Sequence, residues 1–278
     1  MAPSILAGVS ATVSELISYP VKGCAGISLS AAQVTARGLD HDREFMIVDE
    51  DRSFRSQRSD PILAVIRPSI RQGVLTLEHS DFGSITCEID RESPATDVTM
   101  FRLPFRGIDQ GDDVAAWLTE VIGETSRLVA VPPDVHRVTD GIVPGTAGFA
   151  DSGAVHLLSD STLDGLNSLL ESPVPMDRFR PNIVVTGWDG AHTEDTVREF
   201  RVGDAVLTYT KLAIRCAVTT VDQSRGERDG REPLQTLATY RKARAKGVAF
   251  GVKLTVLEKG AVSVGDILDV RTWGASDL

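Results

Sequence analysis

Short runs in which apolar and polar residues alternate dominate the first part of the chain, the pattern of strands with one buried face. Val13–Tyr19 and Glu44–Val48 read as strands, and Asp49–Arg52 turns the second back toward the residues after it as a hairpin. Val74–Glu78 and Ile85–Ile89 flank Ser80–Gly83 and predict another hairpin. Such short, closely spaced connections favour a barrel or sandwich over repeated β–α–β units. Three segments carry a helical period instead. Asp112 is placed to cap a helix whose Val114, Leu118 and Val121 share a face, ending at Gly123. Ser161 and Asp164 resemble a capping box for a helix with Leu163, Leu166, Leu169 and Leu170 on one stripe. Pro233 suits a first helical turn followed by Leu234, Leu237 and Tyr240. Asn182–Thr186, Ala205–Tyr209 and Val252–Leu257 add strands, and the stretch from Pro132 to Gly148 predicts a boundary or an exposed loop. The fold class expected is mainly β, with a few peripheral helices.

Composition narrows the function classes. Of 278 residues, 42% are hydrophobic and 24% charged, enough for an ordinary core under a solvated surface. The 29 basic and 39 acidic residues leave a net charge of −10, and no basic stripe stands against that field, which argues against nucleic-acid binding. No apolar run approaches the roughly 20 residues needed to span a bilayer. The first basic residue is Lys22, later than a secretory or transit segment would place one, so a cytoplasmic location is expected. Cys24, Cys87 and Cys216 are odd in number and far apart, which suits a reducing compartment and excludes a disulfide framework or a Cys-rich zinc site. The histidines show no HExxH spacing, and neither GxGxxG nor GxxxxGK[ST] occurs. Zinc hydrolysis, nicotinamide chemistry and ATP chemistry therefore have no local signature.

Candidate chemistry concentrates in Ile214–Asp222, where Cys216 stands beside Arg215 with two threonines and a carboxylate following. A neighbouring cation favours thiolate, the form that ligates soft metals or attacks electrophiles. The same cysteine also reads as a small buried hydrophobe in a strand. Arg178 and Arg180 in RFRPN can present guanidinium groups to phosphate or carboxylate, or can be surface charges at a strand entry. Lys22 and Arg43 pose the same alternatives. Gly148–Gly153 is a small-residue loop that lets backbone amides approach an anion, or an ordinary turn.

Taken together, these segments resemble the MOSC-domain family with its N-terminal β-barrel region. The landmarks are YPVKG at 19–23, GLDHDREFMIVD at 38–49, LLSDSTLDGLN at 157–167, RFRPNIVV at 178–185, RCAVTTVDQ at 215–223, EPLQTLATYR at 232–241, FG at 250–251 and SVGD at 263–266. Within the family the chain is similar to the amidoxime-reducing branch, whose members bind a molybdopterin cofactor and reduce N-hydroxylated compounds. The resemblance implies a MOSC-type β-barrel body over 132–272 and an N-terminal region over 10–131. In that region 10–43 packs with the C-terminal body, and 44–131 forms a β-barrel-like insertion. It implies that Cys216 is the thiolate ligand of molybdenum, that Lys22, Arg43, Arg180, Asn182 and Arg215 hold the pterin and its phosphate, and that Ser152 gives a hydroxyl contact. Asn182 would offer both donor and acceptor to a heterocycle edge. The family is also associated with pyridoxal phosphate binding.

Several positions depart from the family pattern: Gly23 and Gly153 stand where hydroxyls occur, Ile214 where a small polar residue occurs, and Val252–Lys253 where polar uncharged residues or Tyr are commoner. Three cysteines are too few to ligate a [2Fe–2S] cluster, so electrons are expected from a separate ferredoxin- or cytochrome-type protein and its reductase. A docking surface around Arg241, Lys242, Arg244 and Lys246 competes with an ordinary solvated helix end. For the proton donor, Asp222 competes with a turn-capping role. Two other readings of the site remain: a persulfide carried on Cys216 for sulfur transfer without molybdenum, and a non-catalytic molybdopterin-binding protein.

Overall fold

Two long antiparallel strands, Ala205–Arg215 and Val248–Glu258, form the spine of the protein in the computed structural model, which describes residues 10–244 and 247–278. Both run well past the segments their periodicity predicts. They do so through irregularities that break strict alternation, with register shifts between Tyr209 and Lys211 and between Leu212 and Ile214. An extra residue in one strand re-aims the side chains beyond it, so a period-2 template stops at the first bulge although the ladder continues. The spine lies in an eight-stranded sheet ordered Ile27–Leu29, Thr12–Ser18, Ile183–Thr186, Val155–Ser159, Val248–Glu258, Ala205–Arg215, Val197–Val202 and Asp269–Trp273. The architecture is mainly β, with helices α1 (Asp112–Ile122), α2 (Asp160–Asn167) and α3 (Leu234–Tyr240) at its margins.

The chain builds this sheet from both ends. Thr12–Ser18 pairs with Ile183–Thr186 within it, and Ala31–Thr35 pairs with Gly260–Ser263 in a separate three-stranded sheet completed by Gly38–Leu39. Phe45–Val48 pairs instead with Arg127–Ala130 in a separate four-stranded sheet completed by Leu103–Asp109 and Thr96–Met100. The Val74–His79 and Gly83–Glu88 hairpin, joined by Arg67–Arg71, forms a further sheet, and α1 covers this region with Val114, Leu118 and Val121. One core gathers Leu16, Val155, Ile183, Phe200 and Tyr209; another gathers Phe45, Ile47, Leu63, Leu75, Leu118 and Leu128. Each such side chain, removed from water, contributes about 2 kcal/mol.

Four local expectations are corrected. Val155–Ser159 and Ile183–Thr186 pair parallel, with α2 in the crossover between them, so one β–α–β unit sits among the antiparallel connections. Asp112 does not cap α1: Gly111 takes that place, and the Asp112 carboxylate binds Arg127 at 2.8 Å. The cap of α2 is Ser159, whose Oγ accepts from the Thr162 amide at 3.2 Å; the helix ends at Asn167, leaving Leu169 exposed. Arg241 is buried and bound to Asp195 at 2.7 Å, so it cannot belong to a docking surface. Lys246, named in the same run, lies outside the described residues. Among those residues no helix is long and apolar enough to cross a membrane.

The α2 cap leads into a fully buried carboxyl. Ser159 Oγ and Thr162 Oγ1 each donate to Glu194, at 3.0 and 2.9 Å, from 35 and 32 residues away. Burial pushes the Glu194 carboxyl up to about 7 from its ordinary 4.5. Below pH 4.5 it is protonated in folded and unfolded chains alike, and the fold accommodates that neutral form. Between pH 4.5 and 7 the unfolded chain ionises first, so stability falls, by about 3 kcal/mol over the window. Denaturant unfolding from pH 5 to 8 is expected to show this loss in the wild type. Glu194→Gln should flatten it and be the more stable protein at pH 8; parallel pH profiles for the two would contradict the assignment.

Candidate functional site

A buried carboxylate, Asp42, anchors one wall of the candidate cleft. Its Oδ1 accepts from the Tyr19 amide at 2.8 Å, from Asn182 Nδ2 at 2.9 Å and from Arg43 at 2.7 Å, and its Oδ2 accepts from Arg43 at 2.6 Å. These bonds tie the end of the first strand to the turn His41–Arg43 and to the start of Ile183–Thr186. The Arg43 and Arg180 guanidinium groups both stack on the Tyr19 ring, 4.2 Å from its centroid. Arg180 is further held by Cys24 O at 2.6 Å and Gln223 at 3.2 Å. Both arginines have φ near +50°, which non-glycine residues adopt sparingly and which clusters at functional sites.

The cleft is lined by Lys22, Arg43, Ser152, Arg180, Asn182, Arg215 and Cys216, all seven residues singled out in the sequence. They come from the first strand's end, the turn after residue 39, the loop before Val155–Ser159, the segment before Ile183–Thr186, and the end of the spine. Cys216 follows directly on Ala205–Arg215 and precedes the 3₁₀ turn Ala217–Thr220, whose Thr219 amide donates to Cys216 O at 3.0 Å. It is half-buried and faces the cleft, so its reading as a core hydrophobe is not upheld.

Among the lining residues that sequence reasoning did not single out are Arg58 and Asp151. Arg58 Nη1 lies 3.6 Å from Cys216 Sγ, from 158 residues away, and no spacing rule could have paired them. Asp151 binds Lys22 Nζ, which also donates to Phe149 O at 2.9 Å. It was visible only as one residue of the Gly-rich loop. Arg178 is outside the lining: it binds Asp229 at 2.6 Å. Asp222 caps a turn, accepting from the Ser224 hydroxyl and amide, and those bonds hold its carboxyl down near 2, unsuited to giving up a proton at neutral pH. The expectation for Asn182 is also corrected. Both its amide donors are engaged by Ile17 O and Asp42, and its oxygen accepts from the His156 amide, so it braces the wall rather than presenting an open edge.

Electrostatically the cleft opposes the rest of the chain. Six cations line it, Lys22, Arg43, Arg58, Arg180, Arg215 and Lys253, against one lining carboxylate, Asp151. Asp151 pairs with Lys22, and Asp42 behind the wall pairs with Arg43. Arg58, Arg180, Arg215 and Lys253 have no carboxylate partner among the described residues. Arg215 is bonded to Phe179 O at 2.8 Å, while its buried Nε has no acceptor. Burial, aided by Arg215 and Arg43, pushes the Lys253 ammonium well below the usual lysine range. Half-buried or buried cations without carboxylate partners favour an anion with several acceptor oxygens, which guanidinium forks bind bidentately.

Comparison with known proteins bears on the same segments. Residues 10–125 match the family profile described as the MOSC N-terminal beta barrel domain, and residues 144–269 that of the MOSC domain. The chain is 33% identical to mitochondrial amidoxime reducing component 2 of Rattus norvegicus, over 92% of this chain and 82% of that protein. It is 32% identical to component 2 of Bos taurus, with the same coverage, and 31% identical to mitochondrial amidoxime-reducing component 1 of Homo sapiens, over 92% and 81%.

The Asp42 junction makes a stability prediction. Asp42→Asn can keep an acceptor for Tyr19 N and Asn182 Nδ2, but it removes the charge opposite Arg43 and puts an NH2 where Oδ2 accepts from Arg43 Nη1, and it should lower unfolding free energy by about 3 kcal/mol. Asp51→Asn on the exposed turn should change it by less than about 0.5 kcal/mol. Equal midpoints in guanidinium for the two variants would show that Asp42 is not the anchor.

Proposed function

Because the chain belongs to the MOSC-domain family, in the branch of the amidoxime-reducing components, we propose that it reduces N-hydroxylated compounds with a molybdenum cofactor seated in the cleft. The observation that carries this reading is the placement of one accessible thiol, Cys216, in a cleft where four of six lining cations have no carboxylate partner among the described residues. A phosphorylated pterin dithiolene is a polyanion, and the donor set suits it. Arg180 and Arg215 supply forks for phosphate, with Arg43 beside them, and the Arg215 Nε lacks an acceptor. Cys216 supplies a soft sulfur ligand, and Arg58 Nη1 lies 3.6 Å from its Sγ. Ser152 adds a hydroxyl on the opposite loop.

When bound, the cofactor supplies two-electron chemistry and an acceptor for the substrate oxygen. The overall change is balanced as R–NH–OH plus two electrons and two protons giving R–NH2 plus water. The protein's own part is to hold the reacting group at Cys216 and to surround the departing oxygen with cations. Lys22 and Arg58 flank the paired rings of Phe54 and Phe101, whose centroids are 4.7 Å apart, with each cation 5.2–5.7 Å from a ring. That apolar, cation-edged rim suits the hydrocarbon portion of a small organic substrate. Electrons come from a separate carrier, since the chain has too few cysteines for a cluster and no dinucleotide fingerprint.

Cys216→Ser is expected to fold and to lose N-hydroxy reduction by more than about 100-fold, because hydroxyl is a harder and far less acidic ligand than thiol. Arg180→Lys should keep the fold yet release the pterin during gel filtration, read as molybdenum per chain. A correctly folded Cys216→Ser protein with full turnover would refute the ligand assignment. Wild-type protein that carries persulfide sulfur and no molybdenum, when made in a competent host, would favour sulfur transfer instead.

The electron route is tested separately. Under anaerobic conditions, reduced viologen should drive reduction of an N-hydroxyamidine by the molybdenum-loaded protein. NADPH should do so only with an added ferredoxin- or cytochrome-type protein and its reductase. Efficient turnover with NADPH alone would contradict the separate-carrier requirement.

A further inference from the structure

Lys253 stands apart from the other cations of the cleft. It comes from the long Val248–Glu258 strand, where Val252 and Leu254 on either side are fully buried in the main core. The strand is irregular just before it: Gly251 has φ +78°, and a Cβ there would sit 2.6 Å from His156 Nε2 and 2.7 Å from Leu157 O. Lys253 thereby lines the cleft across from His156 on the neighbouring strand. Gly153 leaves room for it, since a Cβ on that residue would lie 3.1 Å from Lys253 Cβ. The two departures from the family pattern are one packing unit: the missing side chain at 153 accommodates the stem of the lysine at 253.

Among the described residues the Lys253 amine has neither a hydrogen bond nor an ion pair, unlike Lys22, which is held by Asp151 and Phe149 O. The three arginines suited to phosphate lie together on the Tyr19–Phe179 wall, Arg43 and Arg180 stacked on Tyr19 and Arg215 bonded to Phe179 O. A lysine is a point charge without a planar fork, better matched to a single monovalent anionic group than to the face of a phosphate already met by arginines. Burial beside Arg215 and Arg43 disfavours the charged form, and an entering carboxylate offsets that cost and holds the proton on the amine.

We propose that Lys253 is a specificity residue whose ammonium, in the space left by Gly153, selects N-hydroxylated substrates that carry a carboxylate and rejects those that carry a fixed positive charge. This rests on the N-hydroxy reductase reading and deepens it by naming the substrate class. The lysine touches the substrate's remote charge and takes no part in the N–O cleavage itself. Its effect therefore falls on KM for charged substrates more than on kcat.

The test uses three N-hydroxybenzamidines that differ only at the para position, bearing a carboxylate, a methyl group or a trimethylammonium group. They are assayed with reduced viologen on molybdenum-loaded wild type, Lys253→Gln and Lys253→Glu. Wild type should favour the carboxylate over the methyl compound by about tenfold in kcat/KM, as one charge-assisted contact supplies, and disfavour the trimethylammonium compound. Lys253→Gln should abolish that order and Lys253→Glu reverse it. A second readout needs no turnover: benzoate binding by calorimetry should weaken about tenfold in Lys253→Gln, while benzamide binding should not change.

An unchanged substrate order in both variants would overturn the proposal. So would loss of molybdenum and pterin from Lys253→Gln, which would place the lysine on the cofactor. If wild type reduces none of the three compounds while benzoate binding still depends on Lys253, the anion subsite stands and the reductase reading fails.

Discussion

The Asp42 carboxylate is the constraint on which the cleft depends. A carboxylate removed from water is tolerable only where donors replace its hydration, and this one receives an amide, a carboxamide and a guanidinium nitrogen that reaches both its oxygens. Those donors belong to segments far apart in sequence, so satisfying one buried charge docks the N-terminal strand and the turn after it onto the body. Tyr19 follows from the same geometry. With its amide fixed by Asp42, its ring lies where Arg43 and Arg180 can both stack on it, and burial drives its phenol up to about 12, keeping it neutral. The cation wall is held by bonds to backbone carbonyls and a ring face, with little of its positive charge cancelled.

That arrangement runs against the average of the chain. A net charge of −10 would ordinarily screen any local positive field, yet six cations converge where only one carboxylate lines the surface. Like charges brought this close oppose folding, and the positive φ of Arg43 and Arg180 adds strain; the structure offsets both with stacking on Tyr19 and carbonyl acceptors at Cys24, Phe149 and Phe179. A site assembled at such local expense is organised for an anionic occupant, whose binding would relieve the repulsion. The thiol at Cys216, next to Arg58, extends the same field to the edge where chemistry would occur.

Periodicity made the strands and helices legible wherever the buried face repeats without interruption, as in Phe45–Val48, the Val74–Glu88 hairpin and α1. It failed at bulges, which halted the two spine strands early in the reading, and at α2. There the cap belonged to Ser159 because the buried Glu194 engages that hydroxyl and Thr162 together. Nor does alternation reveal that Val155–Ser159 and Ile183–Thr186 run parallel, since pairing direction is a long-range property. The residues lining the cleft were named through the ordered family motifs, because nothing local distinguishes Lys22 or Arg43 from a surface charge. Arg58 and Asp42 escaped notice because their roles lie in contacts with Cys216, Tyr19 and Asn182 across long stretches of chain.

Gly23, Gly153 and Lys253, expected from the resemblance to depart from the family pattern, divide by physical cause. Gly23 has φ +86°, and a Cβ there would come 3.1 Å from Leu63 Cδ1, so a hydroxyl-bearing residue at that position needs a different backbone as well as a shifted leucine. Gly153 and Lys253 form the opposite case, a gap and the side chain that occupies it, on backbone that either residue type can adopt. The first departure belongs to the wall tied down by Asp42, where change propagates into the fold. The second belongs to the strand wall across the cleft, where a side chain projects from a ladder already secured by Val252 and Leu254 in the core. A cleft built in this way separates what must stay fixed to hold a polyanion from what can vary to meet a substrate. Charge on the strand wall can then change without disturbing the junction that keeps the arginines in place.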